Sequence, residues 1–131
     1  SIIVTGLNPH AGENGDLGNE EIKVIKPAID ELKKHNYLSI TGPVSADIAF
    51  SQYNRCRHDL AVCMYHDQAL IPIKTLDFHK GVNVTLGLDF IRTSPDHGTA
   101  FDIAGKNLAN PESLISAINL AYEMSTNKNN A

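Results

Sequence analysis

At 131 residues, with 42% hydrophobic and 20% charged, the chain has the composition of one soluble domain with a single core, which excludes disorder. A net charge of −4 and scattered Lys and Arg residues leave no basic stripe for non-specific nucleic-acid binding. No apolar run reaches membrane-spanning length, and no charged segment followed by an apolar one suggests a signal peptide.

In chain order, Ile2–Val4 is a short β-branched run that predicts a strand. The chain opens inside it without an initiator Met, and reads as a piece of a longer protein. The following "TGLNPHAGENGDLGNEE" is a long Gly/Asn/Asp-rich loop, a type that often carries function. A helix is expected from about Asn19, with Glu20 and Glu21 where the helix dipole favours acids. Ile22, Ile25, Ile29 and Leu32 share one face, and Pro27 predicts a kink or break. "YLSITGPV" reads as a second strand, and "SADIAFSQYNR" as a helix capped by Ser45. Leu60–Tyr65 reads as a third, buried strand, and residues 67–76 carry helical propensity despite Pro72.

"GVNVTLG" and "FIRTS" alternate as strands do. "HGTAFDIAG" reads as a loop leading into a short helix. Asn110-Pro111-Glu112 predicts a helix start, with Leu114, Ile118, Ala121 and Met124 as the buried stripe and a frayed tail beyond. Strands alternating with helices imply an α/β fold. Cys56 and Cys63 lack metal-type spacing, so a reducing cytoplasm is the expected setting and Cys63 a small buried hydrophobe.

The chemistry-bearing residues fall into three groups. His66 follows a strand in "MYHDQ", where open α/β sheets place ligands, and Asp67 is suited to orient its imidazole. His10 follows the first strand in "LNPHAGE"; taken alone it is a loop decoration, but together with His66 it offers two imidazoles for one cation. A third ligand is required, and Asp47, His58, His79 or His97 qualify by type only.

Lys74, Arg92 and Lys80 form the cationic set. Arg92 inside "FIRTS" either captures a carboxylate or phosphate or points outward from an edge strand. Asn83 is similarly polar within a strand. His97-Gly98-Thr99 offers donors for a phosphate or ribose, and Asp102 an acceptor for a ribose hydroxyl. No G-x-G-x-x-G is present, so a Rossmann site is not supported.

Taken together, "VTGLNPHAGENGDLG", "GPVSAD", "MYHDQALIPIK" and "GVNVTLGLDFIRTSPDHGTAFDIAG" closely resemble the C-terminal portion of the 4-hydroxythreonine-4-phosphate dehydrogenase (PdxA) family. "HGTAFDIAG" with "ANP" is similar to the cofactor loop of the wider isocitrate/isopropylmalate dehydrogenase family. The resemblance implies an α/β fold with an open mixed sheet flanked by helices, as the C-terminal part of a two-lobed subunit. It implies that His10 and His66 bind one divalent metal (Zn, Co, Mn or Mg) with a third histidine that precedes this segment. Lys74, Asn83 and Arg92 would bind substrate, with Asp47 and Lys74 as candidate catalytic residues. His97, Gly98, Thr99, Ala100 and Asp102 would lie along the adenosine end of NAD, Asp102 disfavouring a 2′-phosphate.

The implied activity is oxidation of a phosphorylated hydroxy amino acid, with decarboxylation, in vitamin B6 synthesis by a cytoplasmic homodimer whose subunits share the site. The alternatives are a paralogue acting on another hydroxy acid, an inactive lobe serving only folding and dimerisation, and a metal-dependent hydrolase.

Overall fold

The computed structural model describes residues 1–35 and 39–128. The chain divides into two compact units, Ser1–Pro72 and Ile73 onward, where size alone suggested a single core. The expected parallel and antiparallel pairings are both present, but in two separate sheets.

In the first unit, β1 (Ile2–Thr5) lies between β2 (Ile40–Val44) and β3 (Leu60–Val62), parallel to both. Tyr37 and Leu38, expected at the start of β2, lie outside the described residues. The β1–β2 register slips between Ile3↔Thr41 and Thr5↔Val44. Gly42, at φ 143°, allows this, since a Cβ there would stand 2.5 Å from the Val4 carbonyl oxygen.

The helix expected from Asn19 forms as a π-turn, Glu21–Ile25, continuing into α1 (Lys26–Leu32). Pro27 sits in the first turn of α1, where its missing N–H costs nothing, so the predicted break falls at the switch between helix types. Ile25 and Ile29 pack with Val4 and Ile40 to form the core, and Ile2 and Met64 lean on it. Ile22 and Leu32, expected on the same face, are about half exposed, Ile22 because the π-turn shifts the helical phase and Leu32 as the last residue of α1.

Two short helices replace the single one expected after Ser45: α2 (Ala46–Ala49) and α3 (Gln52–Arg55). Ser51 interrupts them and caps the second, its Oγ accepting from the Asn54 backbone N–H at 3.4 Å. β3 is an edge strand with all three residues exposed, so its apolar run is not buried as its composition suggested. α4 (His66–Leu76) follows, with Pro72 inside it at the unit boundary.

The second unit is an antiparallel ladder of β4 (Val82–Thr85) and β5 (Arg92–Pro95) packed on α5 (Glu112–Lys128). Two strands alone are marginal in water, and α5 supplies the missing layer. The buried face of α5 is Ser113 and Ala117, not the stripe begun by Leu114 and Ile118, which are 48% and 59% exposed. Small residues win this face because polar atoms tie it to the ladder. Ser113 Oγ donates to the Gly81 carbonyl at 2.6 Å, and Thr93 Oγ1 donates to the Ala117 carbonyl at 2.8 Å. The Asn110 side chain caps the Glu112 N–H at 2.9 Å, as the sequence predicts, and the helix continues to Lys128. Residues 129–131 of the expected frayed tail lie outside the described residues.

Candidate active site

Because the three strands of the first unit are parallel, their carboxyl ends share one edge, the edge at which α/β sheets bind ligands. His10 follows β1, Asp47 follows β2 and His66 follows β3. A cavity of about 250 Å³ at this edge is lined by Asn8, His10, Ser45, Asp47, Tyr65 and Gln68.

His66 opens α4, exposed, with Nδ1 2.8 Å from Asp67 Oδ1. An ionised carboxylate only accepts, so Nδ1 carries the proton and Nε2 presents its lone pair. That is the orientation a carboxylate gives to a metal-binding imidazole. His10 is also exposed, with Nδ1 3.5 Å from Glu13 Oε2. Two imidazoles beyond neighbouring strand ends are the donor type a divalent cation takes. Among the described residues no group of three or more His, Cys, Asp or Glu gathers to hold a metal ion.

The loop carrying His10 is held in a costly shape. His10, Ala11, Gly12, Glu13 and Asn14 all have positive φ, four of them without the freedom of glycine. Such strain persists only where surroundings impose it. Here Glu21, 3% exposed, takes the Asn8 N–H at 2.7 Å and the Asn8 side-chain amide at 3.0 Å. Burial pushes the Glu21 carboxyl up, but these bonds outweigh it and leave the group below its ordinary range. Gly12 meets the same carboxylate, since a Cβ there would lie 2.5 Å from Glu21 Oε2.

Asp47 accepts from the Ser45 hydroxyl, and this bond above all holds its carboxyl below the usual range, with nearby His10 adding a smaller pull. An anion so stabilised is a modest proton acceptor and a good hydrogen-bond acceptor.

Gln68 was assigned no role from sequence, yet it is 7% exposed and makes three hydrogen bonds. Its Oε1 accepts from Thr5 Oγ1 at 2.6 Å and from the Met64 N–H at 2.7 Å, while Nε2 donates to the Gly6 carbonyl at 2.8 Å. Glu21, Ser45 and Tyr65 were also missed. Glu21 left a trace as one of two acids after a Gly-rich loop, and Ser45 only as a helix cap, a position it occupies without a side-chain capping bond.

In the second unit, the register pairs Asn83 with Ser94 and Thr85 with Arg92. Opposed residues share a face, as do alternate residues, so Asn83, Thr85, Arg92 and Ser94 line one side of the ladder. Thr93 lies on the other side, bonded to α5. Arg92 is exposed and donates to Thr85 Oγ1 at 2.7 Å. Arg92 thus takes the outward option, but on a face that also carries Asn83. Lys74 donates to the Asp96 carbonyl at 2.7 Å, with its ammonium 3.3 Å from Asp96 Oδ2 and 5.2 Å from the Phe78 ring centre.

A second, larger cavity of about 520 Å³ opens in this unit, lined by Phe78, His79, His97, Gly98, Ala100 and Asn110 among others. Its size suits a small-molecule ligand. His97, Gly98 and Ala100 of the expected cofactor loop line it; Thr99 and Asp102 do not. The helix after this loop is a single turn, Phe101–Ile103, too short to lend a dipole to a phosphate. Phe78 and His79 stand edge to face, with centroids 5.4 Å apart, and Asn110 Nδ2 lies 3.2 Å from His79 Nδ1. His79, weighed only as a metal ligand from sequence, belongs to this cavity instead.

The chain is similar in sequence and fold to known proteins. The profile of a family described as pyridoxal phosphate biosynthetic protein PdxA matches residues 1–121. The chain is 66% identical over 123 residues to a 4-hydroxythreonine-4-phosphate dehydrogenase of Ruegeria sp., covering 94% of this chain and 37% of that protein. A relative of the same name from Paracoccus denitrificans is 55% identical, with 97% and 39% covered. The chain thus spans less than two fifths of the length of these relatives.

Among solved structures, the 4-hydroxythreonine-4-phosphate dehydrogenase of Klebsiella pneumoniae superposes with a TM-score of 0.76 at 51% identity, over 92% of this chain and 36% of that one. A terephthalate 1,2-cis-dihydrodiol dehydrogenase of Burkholderia xenovorans superposes at 0.67 with 35% identity, over 92% and 38%. The match runs through both units and every residue of the two candidate clusters, and the chain belongs to the PdxA family of pyridoxal phosphate biosynthetic proteins.

Proposed function

We propose that this chain is the metal- and cofactor-bearing part of an NAD-dependent 4-hydroxythreonine-4-phosphate dehydrogenase. The observation that carries this reading is His66, oriented by Asp67 at the sheet edge it shares with His10 and Asp47. When bound, a single divalent cation supplies Lewis acidity to the substrate hydroxyl, and NAD supplies the hydride acceptor.

The residues of the chain then have distinct tasks. His10 and His66 bind the cation through imidazole nitrogen, Asp67 keeping the His66 proton on Nδ1. Asp47 receives a hydrogen bond or proton at its carboxylate. In the full-length homodimer, whose subunits share the site, Asn83 and Arg92 hold the anionic ends of 4-phosphooxy-L-threonine from their common face, and Lys74 adds a cation that can leave Asp96 for substrate. Such positioning is a large part of rate acceleration. Oxidation at C3 gives a β-keto acid, whose loss of carbon dioxide leaves 3-amino-2-oxopropyl phosphate. His97, Gly98 and Ala100, with Phe78, receive the adenosine end of NAD in the larger cavity, and Thr99 and Asp102 contact it from the rim.

Many apolar side chains stand exposed, among them Leu86, Phe90, Phe101 and Tyr122. They suit surfaces covered by the rest of a full-length subunit and by a second copy in a cytoplasmic homodimer. No helix among the described residues is long and apolar enough to cross a membrane.

The test is NADH formation from 4-phosphooxy-L-threonine with added divalent metal, using the full-length protein and its His66→Ala variant. Turnover by the parent and loss in the variant supports the reading; full turnover in the variant overturns the metal assignment. The likeness to the dihydrodiol dehydrogenase favours a second reading, a paralogue oxidising another vicinal diol or hydroxy acid. NADH formed from a cis-dihydrodiol but not from the phosphorylated substrate would establish that one.

A further inference from the structure

We propose that Gln68 is a positioning residue that sets the spacing of His10 and His66, acting through Thr5; the inference rests on the metal reading above. One buried amide joins two backbone groups and one side-chain hydroxyl around the site. Gly6, four residues before His10, receives its N–H; Met64, two residues before His66, donates to its oxygen. Gln68 itself stands two residues past His66, in the first turn of α4. Thr5, fully buried as the last residue of β1, donates the third bond.

This set admits one orientation of the amide, with two donors facing Oε1 and one acceptor facing Nε2. The segment leading to one imidazole and the segments flanking the other are therefore held by the same planar, largely buried group. Glutamate in its place has no donor for Gly6, and an apolar residue offers nothing to the Gly6 carbonyl or the Met64 N–H, while Thr5 Oγ1 keeps only the Val62 carbonyl at 3.3 Å. Plain structural glue would serve equally well anywhere in the core; this amide lines the cavity that His10 and Asp47 line.

The experiment compares Thr5→Val, Thr5→Ser, Gln68→Glu and His66→Ala in the full-length protein. Cobalt(II) is the probe, its affinity measured by chelator competition and its ligand geometry by the visible absorption bands. Valine keeps the strand shape and removes only the hydroxyl. Thr5→Val and Gln68→Glu are expected to bind cobalt roughly tenfold more weakly with altered bands, the magnitude usual for groups supporting metal ligands. The metal-free Tm of Thr5→Val should stay near the parent's, and Thr5→Ser should restore affinity and spectrum.

Parent-like affinity and bands in both Thr5→Val and Gln68→Glu overturn the proposal. So does a Thr5→Val loss that Thr5→Ser fails to rescue. If His66→Ala keeps its cobalt, the metal reading itself fails; if His66→Ala alone loses it, only the role of Gln68 does.

Discussion

Asn83 and Arg92 occupy the same face of the β4–β5 ladder, two register positions apart, on the side turned away from α5. Diagonal neighbours on a ladder lie about 7–8 Å apart, within common reach of one small anion. Replacing Arg92 by Met should lower kcat/KM for the phosphorylated substrate by about 1.5–3 kcal/mol, the worth of a hydrogen bond to a charged group. Lysine should restore only part, because it lacks the planar fork. Since Arg92 is exposed, stability should change by less than about 0.5 kcal/mol in a denaturant titration.

Glu21 should control the shape of the His10 loop. Its removal by Glu21→Ala strands the Asn8 N–H and should cost about 1–3 kcal/mol. The pH dependence has a definite sign. A carboxyl held below its ordinary value of 4.5 stabilises the fold fully above that pH. The contribution is lost as pH falls below 4.5 through the lowered native value. Hydrogen exchange of residues 8–18 should therefore accelerate with acid beyond the intrinsic trend in the parent, and much less so in Glu21→Gln.

Gly12→Ala should damage the same loop from the opposite side. The new Cβ would sit 2.5 Å from Glu21 Oε2 at a φ of 79°. Weaker cobalt binding by the full-length variant, with the two sheets intact by circular dichroism, is the expected result.

The inward face of α5 can be tested directly. Ala117, 2% exposed, should tolerate no larger side chain, and Ala117→Leu should cost about 1–3 kcal/mol by overpacking. Ile118→Ser, by contrast, should stay within about 0.5 kcal/mol in the isolated chain.

The two thiols should differ in reactivity. Burial pushes the Cys63 thiol up, only partly offset by the Thr5 hydroxyl, while Cys56 is exposed. Iodoacetamide at neutral pH should label Cys56 first, as read by peptide mass spectrometry.

Strands and helices were legible where short-range pattern decides them, as in β1, α4 and the Asn110 cap. His10 and His66 were legible as strand-end residues, because a parallel sheet gathers such ends on one edge; Asp47 was open to the sequence by residue type and resemblance alone. The buried face of α5 was not, because Ser113 is fixed by its hydroxyl and Ala117 meets Thr93 through its backbone carbonyl, and neither leaves a periodic apolar signal. The exposure of β3 was hidden too: an edge strand and a central one can share the composition of Leu60–Val62. Gln68 and Glu21 escaped because a buried polar residue is recognised by its partners, and Gly6 and Thr5 for Gln68, and Asn8 for Glu21, are brought to them by the fold.

The central place of β1 between β2 and β3 bears on how this protein can change over evolutionary time. Both neighbours pair with β1 and not with each other, so inserting or deleting one residue in it would shift two registers at once. Every side chain of β1 would exchange faces, carrying Thr5 away from Gln68 and the core residues Ile3 and Val4 out of place. Variation in length is thereby confined to the connections, and the four residues Ile2–Thr5 form a ruler that sequence drift cannot lengthen.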